Sequence, residues 1–449
     1  MRVPADPAVD LCLQILADAK VQGGEVYLED HTVFSAAVAD GRVERQESQD
    51  ARGIGVRLFD QGRVAFSYTS DLSDGGLREA VAIAKSLLPL ADPDEANCVP
   101  EADEGSTPDP ETYDAALVRV EHQEKIRIAR RVEESARAAD PRVKRVRQCR
   151  YTDVMGRIEV ANTGGLRHAW PFSRIYAAIE LTAQQGDEQQ SGSYAEFAIR
   201  LATLDPAHVG REAARRATQK LGAAPVSTRR TNLVLDPTVA ADLLSAIAPA
   251  LHADNALKGK SLLASRVGQQ VGSPRVTILD DGRMSGADHS SPYDAEGVAT
   301  RCTMLMEGGV LKGFLHSTYT SVRMGAAPTG NAWRSGYKSA PHISPSTLYL
   351  QPSGHSREAL LMEAGDGLYI TEVMGLHTID PISGDFSVGA AGQTLKAGRL
   401  DAPVDRIAIA GNILDLLKSV AGVATDLRPM PGGGAGSSTL LTGISVSGA

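Results

Sequence analysis

The sequence predicts an α+β fold, and two observations carry that reading. Runs of β-formers broken by glycine-containing turns fill residues 26–70 and most of the chain beyond 276. Stretches with apolar residues at helical spacing concentrate before residue 255. Strands dominate late and helices early, without the strand–helix–strand alternation of a parallel α/β sheet, and no internal repeat recurs at a fixed period.

The elements follow in order. The first twenty residues, MRVPADPAVDLCLQILADAK, place Asp6 and Asp10 where a signal peptide would need apolar residues, so an amphipathic first helix is expected instead. EVYLED, TVFSAAVADGRVERQE and GIGVRLFDQGRVAFSYTS form an antiparallel meander that turns at Asp40-Gly41 and Gln61-Gly62. Asp71 or Ser73 then caps a helix carrying Leu77, Val81, Ala84 and Leu87, closed by Pro89. Residues 91–112 are acidic, proline-rich and aperiodic, which describes a surface connector. A helix is expected over 118–139, strands over 143–198, and another helix from Asp205-Pro206 to Leu221.

Composition shifts around 222–230, dividing the chain into an N-terminal region, 1–225, and a β-rich C-terminal region, 226–449. The second region opens with the strand TNLVLDP and a helix from 238 to about 254 striped by Leu243, Leu244, Ile247 and Leu251. Strands follow, with one further helix over 407–420. Its most decisive stretch is 291–331: two strands, 300–306 and 310–318, meet at Glu307-Gly308-Gly309, where glycine can take the positive φ of a tight turn.

Composition excludes several functions. Apolar content is 42% and no apolar run approaches the roughly 18–20 residues of a membrane span. Net charge is −9, and the densest basic patch, 127–147, is interrupted by acids, which argues against direct nucleic-acid binding. The four cysteines are scattered without a CxxC, as expected of reduced thiols in a cytoplasmic protein, and Cys302 is expected buried in mid-strand. None of the ten histidines is followed by glutamate, so HExxH is missing, and there is no GxSxG elbow. The glycine-rich 431–436 lacks the lysine of a phosphate loop and reads as backbone passing close to a strand or a peptide.

Against that background, SPYDAEGVATRCTMLMEGGVLKGFLHSTYTSVRMG followed by PTGNAWRSGYKSAP resembles the C-terminal core of the TldD/PmbA family: an acidic turn, an E-x-G-x-L-K-G hairpin and a T-G-N-x-x-R loop. GLYITEVMG, GDFSVGAAGQTLKAGRL and the closing ISVSG extend the resemblance, as does GIGVRLFDQGRVAFSYTS in the first half. The resemblance implies an N-terminal α/β region with an antiparallel sheet and long helices, a barrel-like C-terminal domain, and a dimer. It also implies a zinc protease acting on small or unfolded peptides, including precursors of peptide natural products. In that family the TldD-type subunit carries zinc on a His-Glu-x-x-x-His motif and a late cysteine, and the TldE/PmbA type lacks them.

The matching segment here is LHADNALKGKS. His252 stands at the first histidine, Ala253 at the general base and Leu257 at the second histidine, and no cysteine follows Cys302. Zinc hydrolysis needs about three protein ligands, an open position and a base. The expectation is therefore a non-catalytic TldE/PmbA-like subunit with no metal of its own, pairing with a zinc-bearing TldD-type partner or with itself. The alternatives are a stand-alone peptide or amide hydrolase and a non-enzymatic regulatory protein. Candidate residues lining a peptide cleft are Asp294, Glu296, Thr329, Asn331, Arg334, and Ser387 with Gly389 in the SVGAAG turn.

Overall fold

The computed structural model describes residues 3–101, 110–380 and 382–448. Part of the acidic connector, 102–109, lies outside them. The first region is one antiparallel sheet with helices on a single face. Helix α1 (Pro7–Asp18) starts where Asp6 accepts the Ala8 N–H at 2.9 Å. Strands β1 (Gly23–Ala39), β2 (Arg42–Asp60) and β3 (Arg63–Thr69) form the expected meander. Both turns use the two-residue geometry in which each central residue has positive φ: Asp40 +49° with Gly41 +70°, and Gln61 +48° with Gly62 +73°. Ser73 caps α2 (Asp74–Leu87), and α3 (His122–Ala139) leads into β4 (Val143–Asn162), β5 (Arg167–Gln185) and β6 (Glu188–Ala198). Helix α4 (Pro206–Thr218) begins at Asp205, which accepts from Ala207 and His208. The strand order is β3-β2-β1-β4-β5-β6. Period-two alternation gives the sheet two unlike faces. Val26, Leu28, Phe34, Ala36 and Val38 of β1 pack under the helices. Tyr27 packs on the opposite face with Val160 and Trp170, against Ala295 and Tyr337 of the second region.

That second region begins with β7 (Arg229–Leu235), α5 (Pro237–Ile247) and α6 (Ala253–Leu257). Next come β8 (Ile278–Asp281), β9 (Cys302–Glu307), β10 (Val310–Leu311) and α7 (Thr318–Met324). After the short β11 (Ala332–Trp333), β12 (His342–Ile343) and β13 (Leu348–Leu350) lie α8 (Arg357–Ala364), β14 (Leu368–Met374), β15 (Asp385–Lys396) and β16 (Arg399–Asn412). Helix α9 (Ile413–Ser419), β17 (Val420–Val423), β18 (Arg428–Pro429), β19 (Ala435–Gly436) and β20 (Thr439–Ser447) complete it. Strands β16-β15-β14-β7-β20 close into a five-stranded barrel because β20 also pairs with β16, Ala408 opposite Ser447 and Ile409 opposite Val446. Closure leaves the barrel no free edge, and Leu233, Ile370, Val388 and Ile409 fill its apolar core.

Four expectations are corrected. The helix expected over 238–254 is three pieces, because Pro249 lies within a 3₁₀ turn (Ala248–Leu251) and His252 is extended before α6 starts. The second arm of the glycine hairpin stops at Leu311; Ser317 and Thr320 instead form a capping box that starts α7. The helix expected over 407–420 is the end of β16, whose Ile-Ala-Ile-Ala alternates with period two, followed by α9 capped at Asn412. Cys302 is the first residue of β9 and exposed, not buried in mid-strand.

Candidate functional site

The acidic turn is built from its own carboxylates. Asp294 Oδ1 accepts the N–H groups of Glu296 and Val298 at 2.9 Å, and Oδ2 accepts that of Ala332 at 3.0 Å. Gly297 closes the turn at φ +82°. Burial and the neighbouring Glu296 carboxylate push the Asp294 carboxyl up to about 8, against the pull of those three N–H groups. Burial alone would raise Glu296 too, but the Arg57 guanidinium and the Thr318 N–H outweigh it and hold Glu296 below the usual carboxylate range.

This turn is where the two regions join. Arg57 of β2 bridges Glu296 at 2.9 Å and pairs with Glu25 of β1. Arg334 pairs with the same Glu25, its side chain wholly buried between the rings of Tyr27 (4.7 Å) and Phe66 (5.9 Å). Two buried guanidiniums and two carboxylates thus interleave across the junction, each charge partnered, as burial requires. Gly53 and Gly55 of β2 let this happen: a Cβ at Gly53 would sit 2.2 Å from the Tyr337 ring and one at Gly55 2.6 Å from the Tyr337 carbonyl.

Beside the junction lies a cavity of about 260 Å³ between the helix-free face of the sheet and the loops 288–295 and 330–346. Asp294, Asn331 and Arg334 line it. Asn331 donates to Asp280 at 2.6 Å and to the Ser344 carbonyl at 3.2 Å, and burial raises the Asp280 carboxyl to about 6. Glu296 and Thr329 stand behind the wall, where the Thr329 hydroxyl accepts the His316 N–H at 2.7 Å. Ser387 and Gly389 are not brought to this site: they lie within β15, a barrel strand rather than a turn.

Sequence reasoning passed over the other wall. Asp288 is held by Arg174 (3.1 Å), by the Tyr176 hydroxyl (2.8 Å) and by the Gly432 N–H (2.7 Å). The glycine-rich 431–436 does pass close to something: a Cβ at Gly433, φ +92°, would sit 2.6 Å from His289 Nδ1. Burial lowers the His289 imidazole, which stacks on Trp333. Trp170 and Trp333, the chain's two tryptophans, both line this one cavity, a meeting that nothing in their sequence spacing marks.

The segment resembling a metal motif offers poor ligands. His252 sits at the extended break before α6, burial lowers its imidazole, and its Nε2 is buried without a partner. Ala253 is fully buried, and Leu257 points to solvent, 41% exposed. Alkyl groups at these two positions cannot ligate zinc, and no three of His, Cys, Asp and Glu come together as a metal-binding group among the described residues. The residues do not fit a catalytic zinc held by this chain.

Residues 24–88, 117–221 and 228–448 match, in turn, domain 1, the central domain and the C-terminal domain of the PmbA/TldA metallopeptidases. The chain belongs to the PmbA/TldD metallopeptidase family. Among its relatives in the family, the metalloprotease PmbA of Escherichia coli O157:H7 is 26% identical over 94% of this chain and 92% of its own length. A metalloprotease of Methanothermobacter thermautotrophicus is 28% identical over 88% and 86%. A Thermotoga maritima structure described as a candidate modulator of a DNA gyrase superposes with a TM-score of 0.90 at 28% identity, covering 98% of this chain and 99% of that one. TldE from Thermococcus kodakarensis shares the fold at a TM-score of 0.89 and 20% identity, covering 98% and 100%. No helix among the described residues is long and apolar enough to cross a membrane.

Proposed function

We propose that this PmbA/TldD-family chain is a TldE/PmbA-type subunit that carries no catalytic metal and completes a heterodimeric metallopeptidase for small or unfolded peptides. The observation that carries the reading is the residue set His252, Ala253 and Leu257, where one imidazole stands in a segment that the family's zinc-bearing type fills with two histidines and a glutamate. The buried charge network around Asp294 and Glu296 is consistent with it, because it locks the two regions into one scaffold without any metal. Zinc belongs in the TldD-type partner, and the cavity beside Arg334 contributes to the peptide cleft.

The test uses the full chain alone and mixed with a TldD-type subunit, with zinc measured by elemental analysis and cleavage of an unstructured peptide followed in both. The expected result is zinc and cleavage only in the mixture. Stoichiometric zinc together with activity in the lone chain would overturn the proposal and establish a stand-alone hydrolase. Failure to associate with any TldD-type subunit would also overturn it.

A further inference from the structure

The cavity between the sheet and the C-terminal loops has a composition that selects a ligand. The chain is poor in aromatic residues, 4% of the total, yet both tryptophans line this space, with Tyr27, Phe172 and Tyr293 beside them. The rings are held in place: Tyr293 stacks on His168 at 3.6 Å and lies 5.8 Å from Trp170, and Trp333 is fixed between His289 and His342.

Its charges are unequal. Arg174 is neutralised by Asp288 and Arg334 by Glu25. Glu29 also lines the cavity, and its ion-pair partner among the described residues is His31 alone, at 3.2 Å, with no lysine or arginine. The unmatched fixed charge on this wall is therefore negative. At about 260 Å³ the cavity falls below the roughly 300–1,000 Å³ of sites for whole small molecules, so it takes a side chain.

We propose that this cavity binds the cationic side chain of a peptide, a guanidinium or alkylammonium, between its aromatic rings and the Glu29 carboxylate. A cation satisfies both components at once, since tryptophan and tyrosine faces attract positive charge and Glu29 pairs with it. A neutral aromatic side chain would instead strip water from Glu29 and give it no partner. An acidic one would meet like charge. The inference rests on the cavity and not on the absence of metal ligands, so it holds with or without a zinc-bearing partner.

The two tryptophans make the test direct, because the full chain's tryptophan emission comes entirely from this cavity. The lone, metal-free chain is titrated with acetylated and amidated Gly-Arg-Gly, Gly-Gln-Gly and Gly-Glu-Gly at neutral pH. The expected result is a saturable emission change with the arginine peptide, about tenfold weaker binding of the glutamine peptide, and no response to the glutamate peptide. Glu29→Gln, whose amide oxygen still accepts the Tyr337 N–H, should fold with unchanged circular dichroism and lose the preference for arginine. Equal responses to the three peptides, no response to any, or a preference that survives Glu29→Gln would overturn the assignment. Because no partner and no cleavage enter this experiment, its failure leaves the subunit proposal standing, and the reverse also holds.

Discussion

The acidic turn at 294–298 is buried and the segment at 252–257 is mostly half-buried; both carry ionisable groups, yet they differ in how those groups are satisfied. At the turn, Asp294 accepts three backbone N–H groups, and Glu296, Arg57, Glu25 and Arg334 form a continuous chain of ion pairs. At the other segment, His252 Nε2 and Asp254 Oδ1 are buried without partners. A buried polar atom left unpaired costs free energy; the junction has such atoms too, Arg334 Nε and Thr318 Oγ1, but there each charge still has an ionic partner. The turn joins the two regions through partnered charges, and the segment contributes no ion pair between them among the described residues.

Breaking the satisfied region should cost most. Arg334→Met strands Glu25 in the junction with one guanidinium instead of two, and a loss of about 3–5 kcal/mol is expected. The measurement is chemical denaturation of the purified variant; a change below 1 kcal/mol, the scale of exposed ion pairs, would show that the network is incidental. Gly53→Ala comes next. Its methyl group would collide with the Tyr337 ring, costing about 1–3 kcal/mol of overpacking, and the same denaturation experiment reads it.

A pH experiment sharpens the comparison further. The Asp294 pKa is raised in the folded protein to about 8, from near 4 when unfolded, so the native state holds the extra proton between those values. Stability from this group is complete at low pH and is lost as pH rises towards 8. Glu296, held low, gives the opposite slope at acidic pH. Asp294→Asn should therefore flatten the fall in Tm between pH 5 and 8 relative to the parent, at the expense of a lower Tm overall, since an amide cannot accept all three N–H groups. An unchanged slope would remove Asp294 as its source. The smallest effect belongs to the 252–257 segment: His252→Leu should shift stability by less than about 1 kcal/mol, because it removes a buried, unpartnered Nε2 and roughly keeps the volume. A large loss there would mean that His252 has a partner or a role after all.

Much of the fold could be read locally. The turns at Asp40-Gly41, Gln61-Gly62 and Gly308-Gly309 and the start at Asp205-Pro206 depend on neighbouring residues, and each lies where its chemistry demands. Errors arose where two periods compete over a few residues. Ile407-Ala-Ile-Ala suits a strand as well as a helix, and only pairing with β15 and β20 decides it. Of the residues chosen from turns beside the hairpin, Asp294, Asn331 and Arg334 line the cavity, whereas Ser387 and Gly389 were placed in a turn that is a strand. The aromatic wall was invisible because its residues come from β1, β5, β11 and a loop, and no spacing in one dimension encodes their meeting.

Barrel closure has a consequence for the order of events during folding. Strand β7 opens the C-terminal region and can pair with β20 only once the last strand of that region has been made. The sheet of the first region contains only strands from that region and its helices lie on one face, so it can assemble while the barrel still waits. Contacts so far apart along the chain slow folding and leave apolar strands exposed in the interval. The helix-free face of the sheet carries Glu25 and Arg57, the charges that Arg334 and Glu296 of the later half must meet when the two regions dock.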